Sequence, residues 1–239
     1  MVTLPQFYFS GDLKQGATLW LDEGTVRHTM LVLRMKTGEQ LQLANGVGYT
    51  AITTITTAEK KKCGVKVEIV TFHAADVARL YLGVAFTKNN ARNEWMLEKA
   101  TELGAAAIIP LLTTRSEKEK MRYDRLQQIL ISAMLQSQQA YLPALPEAML
   151  LKDVLVKYPK QQQLIAHCMD GQERQQLSEM LKPGAEAIIL IGPEGDFTAE
   201  EVNLCVGAGY VPVSLGTRRL RTETAAISAS AYFNMINNG

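Results

Sequence analysis

Up to about residue 72 the hydrophobic and polar positions alternate in short runs. The stretch "QLQLA" (40–44) alternates strictly, "YTAITTITT" (49–57) is rich in β-branched residues, and "VKVEIVTF" (65–72) alternates again. A period of two with β-branched enrichment predicts strands. Asn45-Gly46 and Gly48 supply turn signals between them, and "HTMLVLRM" (28–35) predicts one short helix. Residues 1–72 therefore read as a small β-rich domain.

From residue 73 the texture changes. Strand-like "RLYLGVAF", "AAIIPLL", "QLIAHCM", "AIILIG" and "VPVSLG" alternate with helical segments. In "YDRLQQILISAMLQSQ", Leu126, Ile129, Leu130, Ala133 and Met134 fall on one apolar stripe. Met96, Ala100 and Leu103 do the same in "NEWMLEKATELGA", which predicts a helix stopping at Gly104. Thr198 and Glu201 have the spacing of a capping box. Ala225, Ala229, Tyr232, Phe233 and Ile236 give the last helix an apolar stripe as well. Strands alternating with helices predict a second domain, 73–239, built on a mostly parallel α/β sheet.

Composition narrows the chemistry. A hydrophobic content of 47% and a charged content of 21% over 239 residues fit an ordinary globular protein. The start "MVTLPQFYFS" has no basic segment ahead of an apolar one, so no secretory leader is expected. Runs such as "AIILI" are too short to cross a bilayer. Cys63, Cys168 and Cys205 are far apart and form no C-x-x-C pair, and His28, His73 and His167 stand alone. A disulfide framework and a metal site are both disfavoured, and a cytoplasmic protein is expected. The net charge is only +1, and residues 1–72 carry a slight excess of 8 Lys/Arg over 6 Asp/Glu. Charge alone leaves "EKKKCGVK" (59–66) open between a solvated hairpin tip and a nucleic-acid contact.

No G-x-G-x-x-G follows the first strand of the second domain, and no G-x-x-x-x-G-K-[ST] occurs anywhere. A Rossmann-type dinucleotide site and a P-loop are therefore disfavoured. What remains is a pair of strand-to-helix junctions near the C-terminus, "IGPEGDFTAEE" (191–201) and "LGTRRLRTETAA" (215–226). Both should leave the same edge of the sheet, where ligands of open α/β sheets sit, and adjacent strands would bring them together.

These two junctions resemble the signature of the RsmE family, the 16S ribosomal RNA uracil-N3 methyltransferases of the SPOUT class. "KNNARNEWMLEKATELGAAAIIP", "ISAMLQSQQAYLP" and "RHTMLVLRMKTGEQLQLANGVG" resemble further segments of that family. The resemblance spans nearly the whole chain in one order. It implies an α/β SPOUT domain with a C-terminal trefoil knot, preceded by a PUA-like β-barrel that grips RNA. It also implies S-adenosylmethionine as cofactor, a homodimer, and a uridine near the decoding region of the small ribosomal subunit as target. Three positions depart from the family pattern. Asp196 stands where a second glycine is usual, Arg219 where an aliphatic residue is usual, and Gln139 where arginine often follows Q-S. Aspartate tolerates a positive φ better than most residues, so the loop at 196 should be retained.

The resemblance assigns Gly192, Pro193, Glu194, Gly195, Leu215, Gly216 and Leu220 to the cofactor. Glu194 either accepts a hydrogen bond from it or fixes the loop. Uracil N3 becomes a good nucleophile only when its proton leaves. Arginine stays protonated and cannot take that proton, but it can stabilise the developing anion. Arg221 is the candidate for that role, with Arg218 on phosphate or on the cofactor's carboxylate. Glu223 is either a proton acceptor or a helix cap. Arg27, Arg34, Lys60, Lys61 and Lys62 are candidate RNA contacts through phosphates. His28 belongs to the same cluster but, taken alone, reads more simply as a cap or surface residue. The rival readings are a non-catalytic RNA-binding assembly factor and a SPOUT enzyme that methylates another RNA atom.

Overall fold

The alternation in the first third of the chain folds into one five-stranded sheet. A computed structural model of the protein describes residues 4–116, 121–169 and 173–238. The strands are β1 (Gln6–Tyr8), β2 (Thr18–Trp20), β3 (Gln40–Ala44), β4 (Tyr49–Glu59) and β5 (Lys62–Phe72), in the order β1-β3-β4-β5-β2. Pairing is antiparallel except between β1 and β3. Leu41, Leu43, Ile55, Val65 and Val67 all turn to one buried face, as period two requires. β1 and β2 are three residues each, too short for periodicity to reveal.

The helix of this unit starts earlier than the 28–35 pattern predicts. α1 (Glu23–Arg27) begins after Asp22, whose carboxylate accepts the Thr25 N–H, and runs into a π-helical stretch at His28–Val32. The cap sets the start, and an apolar pattern does not register a cap. Residues 134–142 also pack with this unit, which otherwise comprises residues 1–75. The reason is local. Gly48, at φ +94, donates its N–H to Ala140, and the Tyr141 hydroxyl donates to the His73 carbonyl at 2.8 Å. This compact unit thus takes in a returning segment as well as the N-terminal residues.

The second unit, residues 76–133 and 143–239, holds a seven-stranded sheet that is parallel throughout. In chain order it contains β6 (Leu80–Val84), α2 (Asn90–Glu102), β7 (Ala105–Leu112), α3 (Tyr123–Gln136), β8 (Met149–Leu150), α4 (Leu151–Lys157) and β9 (Gln162–Ala166). After them come β10 (Gln175–Gln176), α5 (Leu177–Met180), β11 (Ala187–Ile191), α6 (Ala199–Gly207), β12 (Val211–Ser214) and α7 (Thr222–Asn238). Gly104 takes φ +80 just past α2, and Thr198 with Glu201 closes a full capping box on α6. Leu126, Leu130, Ala133 and Met134 bury the stripe of α3.

Strand order is β10-β12-β9-β11-β6-β7-β8. The chain runs outward from β6 to β8 on one side, then crosses to build the other side. The strand order corrects one sequence expectation: β11 and β12 are not neighbours, because β9 lies between them. The long apolar run of β11 suits a central, doubly covered strand, but pattern alone does not say which strands flank it. Ala166 of β9 registers with Ile191 of β11 and Val213 of β12, so the three strands end level. The loops leaving them share one crevice. Among the described residues, no helix is long and apolar enough to cross a membrane.

Phe197 anchors the turn after β11. Its side chain is fully buried in the core formed by Ile109, Ile165, Ile188 and Val202, and it lies so close to Gly192 that a Cβ there would sit 3.0 Å from the ring. Phe197→Ala should lower unfolding free energy by about 3–5 kcal/mol, seen as a reduced urea midpoint with an unchanged slope. A loss below about 1 kcal/mol would show that the turn does not depend on this anchor.

Candidate active site

The level ends of β9, β11 and β12 enclose a cavity of about 480 Å³, within the range of small-molecule sites. Its floor is made of main chain. Gly192 and Pro193 continue β11, Leu215 and Gly216 continue β12, and His167 and Cys168 continue β9. Gly216 holds φ +124, a conformation that a side chain rarely adopts. The Thr222 hydroxyl, in the first turn of α7, donates to the Gly192 carbonyl at 3.0 Å and joins the floor to the last helix.

Of the sequence-derived candidates, Gly192, Pro193, Glu194, Leu215, Gly216, Arg218, Leu220 and Arg221 all line this cavity. Gly195 does not; its carbonyl accepts a hydrogen bond from Arg115. Glu223 does not line it either. Its side chain is 7% exposed, lies 3.5 Å from Arg92 Nε, and leaves Oε2 buried without a partner. Arg92 in turn donates to Glu194 at 3.1 Å, so one guanidinium spans a buried and an exposed carboxylate. Buried charge is costly unless paired, and Arg92 is the pair that Glu223 has. Arg27 and Arg34 lie on or just past the α1 helical stretch, and Lys60, Lys61 and Lys62 form the β4–β5 hairpin tip; all five are exposed.

Five arginines, Arg92, Arg174, Arg218, Arg219 and Arg221, line the cavity, against two acidic residues, Glu194 and Asp196. Arg219, whose direction the sequence left open, is among them. Such a surface favours anionic groups in its ligand. Asp196 does take a positive φ, +62. Its carboxylate accepts the N–H groups of Cys168 at 2.7 Å and Phe197 at 2.8 Å, which ties the β11 turn to the end of β9.

Sequence reasoning missed Arg92, His167 and Arg174. Arg92 sits in the first turn of α2, whose start is capped by Asn89, and nothing in spacing places it beside residues a hundred positions on. His167 stands in the quoted strand "QLIAHCM", but its strand was not read as part of the site. It is buried, and its Nδ1 accepts the Met169 N–H at 3.2 Å, so the ring proton belongs on Nε2. Nε2 has no partner. Burial is the main cause that holds this imidazole's pKa below its ordinary value; Asp196 opposes the shift and Arg174 adds to it. The ring is thus a neutral imidazole whose Nε2–H is buried. No group of His, Cys, Asp and Glu among the described residues could hold a metal ion.

An RNA methyltransferase domain model matches residues 75–234, and an RNA methyltransferase PUA domain model matches residues 21–68. A probable rRNA-methyltransferase from Porphyromonas gingivalis is 34% identical, with 98% of each chain covered and a TM-score of 0.91. A putative methyltransferase from Legionella pneumophila, solved with the bound cofactor SAM, is 30% identical over 99% of each chain, with a TM-score of 0.88. The ribosomal RNA small subunit methyltransferase E of Rickettsia conorii is 27% identical, covering 98% of this chain and 96% of its own. The likeness runs through both units. The chain belongs to the RNA methyltransferase family.

Proposed function

We propose that this protein transfers a methyl group from S-adenosylmethionine to N3 of a uridine in 16S ribosomal RNA, near the decoding region of the small subunit, in the cytoplasm. The observation that carries the reading is the arginine-lined cavity over the level ends of β9, β11 and β12. Its size and its main-chain floor suit a nucleoside with an amino-acid tail. The backbone N–H and C=O groups can meet adenine and ribose, and a guanidinium can meet the tail's carboxylate. Support also comes from the Legionella relative, which holds SAM, and from the name of the Rickettsia relative.

The bound cofactor would supply an electrophilic methyl carbon on a sulfonium. Uracil N3 would first give up its proton to solvent, because only the resulting anion is a good nucleophile toward such a carbon. The chain's part is to orient and to stabilise charge. We assign Gly192, Pro193, Glu194, Leu215, Gly216 and Leu220 to the cofactor, and Arg221 to the anion that develops on the uracil oxygens. Arg218 takes a phosphate or the cofactor's carboxylate. Glu223, turned away from the cavity and paired with Arg92, fits a positioning role better than that of proton acceptor.

The remaining parts of the reading rest on the same family logic. The C-terminal strands and α7 would be threaded as a trefoil knot. Residues 1–72 would serve as a PUA-like RNA-gripping domain with Arg27, Arg34 and Lys60–Lys62 on phosphates, and the working form would be a homodimer. The overall reading is tested by nucleoside mass spectrometry of ribosomal RNA from cells with and without the protein. Absence of any difference in 3-methyluridine would refute it.

Two further outcomes are expected. The single-turnover rate at saturating cofactor should rise with pH until the bound uracil is ionised, because only the anion attacks. A cation beside the ring lowers the pKa of bound uracil, so Arg221→Ala should slow the chemical step and move the profile to higher pH. Cofactor affinity should change little, and Arg221→Lys should rescue in part, lacking the planar fork. An unshifted profile with lost cofactor binding would make Arg221 a cofactor clamp instead. Separately, light scattering at micromolar concentration should give twice the 26.4 kDa chain mass; a monomer would remove the dimer from the proposal.

A further inference from the structure

Trp20 lies at the edge of the first unit's sheet in an unusual setting. It ends β2, the edge strand beside β5, and it is 58% exposed despite being the largest side chain in its strand. Opposite it in register is Gly64 of β5. A Cβ built on Gly64 would sit 3.0 and 3.3 Å from Cζ3 and Cη2 of the indole. The six-membered ring therefore rests on bare backbone, which only glycine permits at this spacing. One side of the ring is covered by the strand, and much of the rest is open to solvent.

The surroundings are basic. Residues 62, 64 and 66 alternate onto the outer face of β5, because Cys63, Val65 and Val67 are buried on the inner one. Lys62 and Lys66 thus flank the shelf, both exposed, and Lys60 and Lys61 extend the charge around the hairpin tip. Thr18, exposed on the same side of β2, pairs with Lys66. Acidic residues also lie near: Glu68 follows Lys66 by two on the same face of β5, Glu59 pairs in register with Lys62, and Asp22 and Glu23 come just after Trp20, with the Asp22 carboxylate taken up by capping α1. β4 bulges here, with a register shift between Ile55 and Thr57, and the Thr56 hydroxyl donates to the Gly64 carbonyl at 3.1 Å. Bulges re-aim side chains and end pairing.

An open aromatic face beside a row of cations matches the chemistry of unpaired nucleic acid. Bases stack on the ring and phosphates lie on the lysines. We propose that Trp20 on Gly64 is a stacking platform for one unpaired base of the RNA substrate, with Lys60, Lys61, Lys62 and Lys66 holding the flanking phosphates. The proposal rests on the reading that the protein acts on RNA. It gives the hairpin tip a second element of recognition beyond charge.

The test uses the full-length protein with Trp95→Phe, which leaves Trp20 as its single tryptophan. The probe is a single-stranded twelve-residue oligoadenylate at low salt. Titration should quench Trp20 emission saturably, and a blunt RNA duplex should quench it far less. By anisotropy of the labelled oligonucleotide, Trp20→Ala should weaken binding about tenfold or more, the scale of one lost stack, while Trp20→Phe keeps most of it. Gly64→Thr, which puts a side chain under the ring, should reduce quenching with Trp20 still present. The lysine variants should flatten the salt dependence instead.

If Trp20→Ala lowers the melting temperature but binds oligoadenylate as tightly as before, the ring merely covers Gly64 and the proposal is overturned. Equal quenching by duplex and single strand would overturn it too. Methyl transfer to small subunits is measured on the same preparations. Wild-type protein that fails there but is still quenched by oligoadenylate refutes the methyltransfer reading, not the platform.

Discussion

The site depends on main chain held at one level. Three parallel strands end together because Ala166 registers with both Ile191 and Val213, and β11 gives way at once to Gly192 while β12 leads into Leu215 and Gly216. Phe197 presses on Gly192 from the core side, and the Thr222 hydroxyl holds the Gly192 carbonyl from the helix side. A side chain at residue 192 would collide with that ring. The cavity is thus the space left when a buried aromatic, a strand end and a helix start converge on one glycine. Little in that arrangement would need to move for a ligand to be met by backbone groups already in place.

Electrostatics then divides the cavity's wall into unequal parts. Guanidiniums outnumber carboxylates, so an anionic group is welcome almost anywhere along it. Arg92 differs from the rest because it is already engaged, by Glu194 at one nitrogen and Glu223 at another. Removing it would leave the Glu223 carboxylate buried and without its cation, which costs more than the pair itself contributes. Arg218, Arg219 and Arg221 come after β12 without such ties among the described residues, and are the ones able to answer to a ligand. Arginine, which keeps its charge, is suited to that work.

How much of this could be read from the chain varies with the range of the interaction. Five of the second unit's seven strands, the helix stop at Gly104 and the capping box at Thr198 are announced by local residue patterns, whereas β8 and β10, two residues each, are too short to carry one. Eight of the cavity-lining candidates came from two junctions whose residues look odd for plain loops. The insertion of β9 between β11 and β12 was not legible, since hydrophobic pattern fixes which faces are buried but not strand order. With β9 went His167, and with the placement of α2 went Arg92. The helix at 28–35 was displaced for a similar reason: Asp22 caps it from outside the apolar pattern.

Asp196 shows how a residue other than glycine at a positive φ can be accommodated by the structure around it. Glycine there would supply φ > 0 at no steric cost. Aspartate carries a modest strain at φ +62, and its short carboxylate finds two N–H donors within 2.8 Å, those of Cys168 and Phe197. One of those donors belongs to the end of β9 and the other to the residue that anchors the turn. Aspartate here therefore gives up the backbone freedom of glycine for a bond between two walls of the cavity. It also places a negative charge beside His167, where it opposes the loss of the imidazole's proton affinity caused by burial. Burial still dominates, which keeps the ring neutral and its unpartnered Nε2 a donor. A glycine at 196 would leave that imidazole with less to oppose its desolvation and would free the β9 end from the β11 turn. Shape and protonation at this wall are thus set by the same side chain.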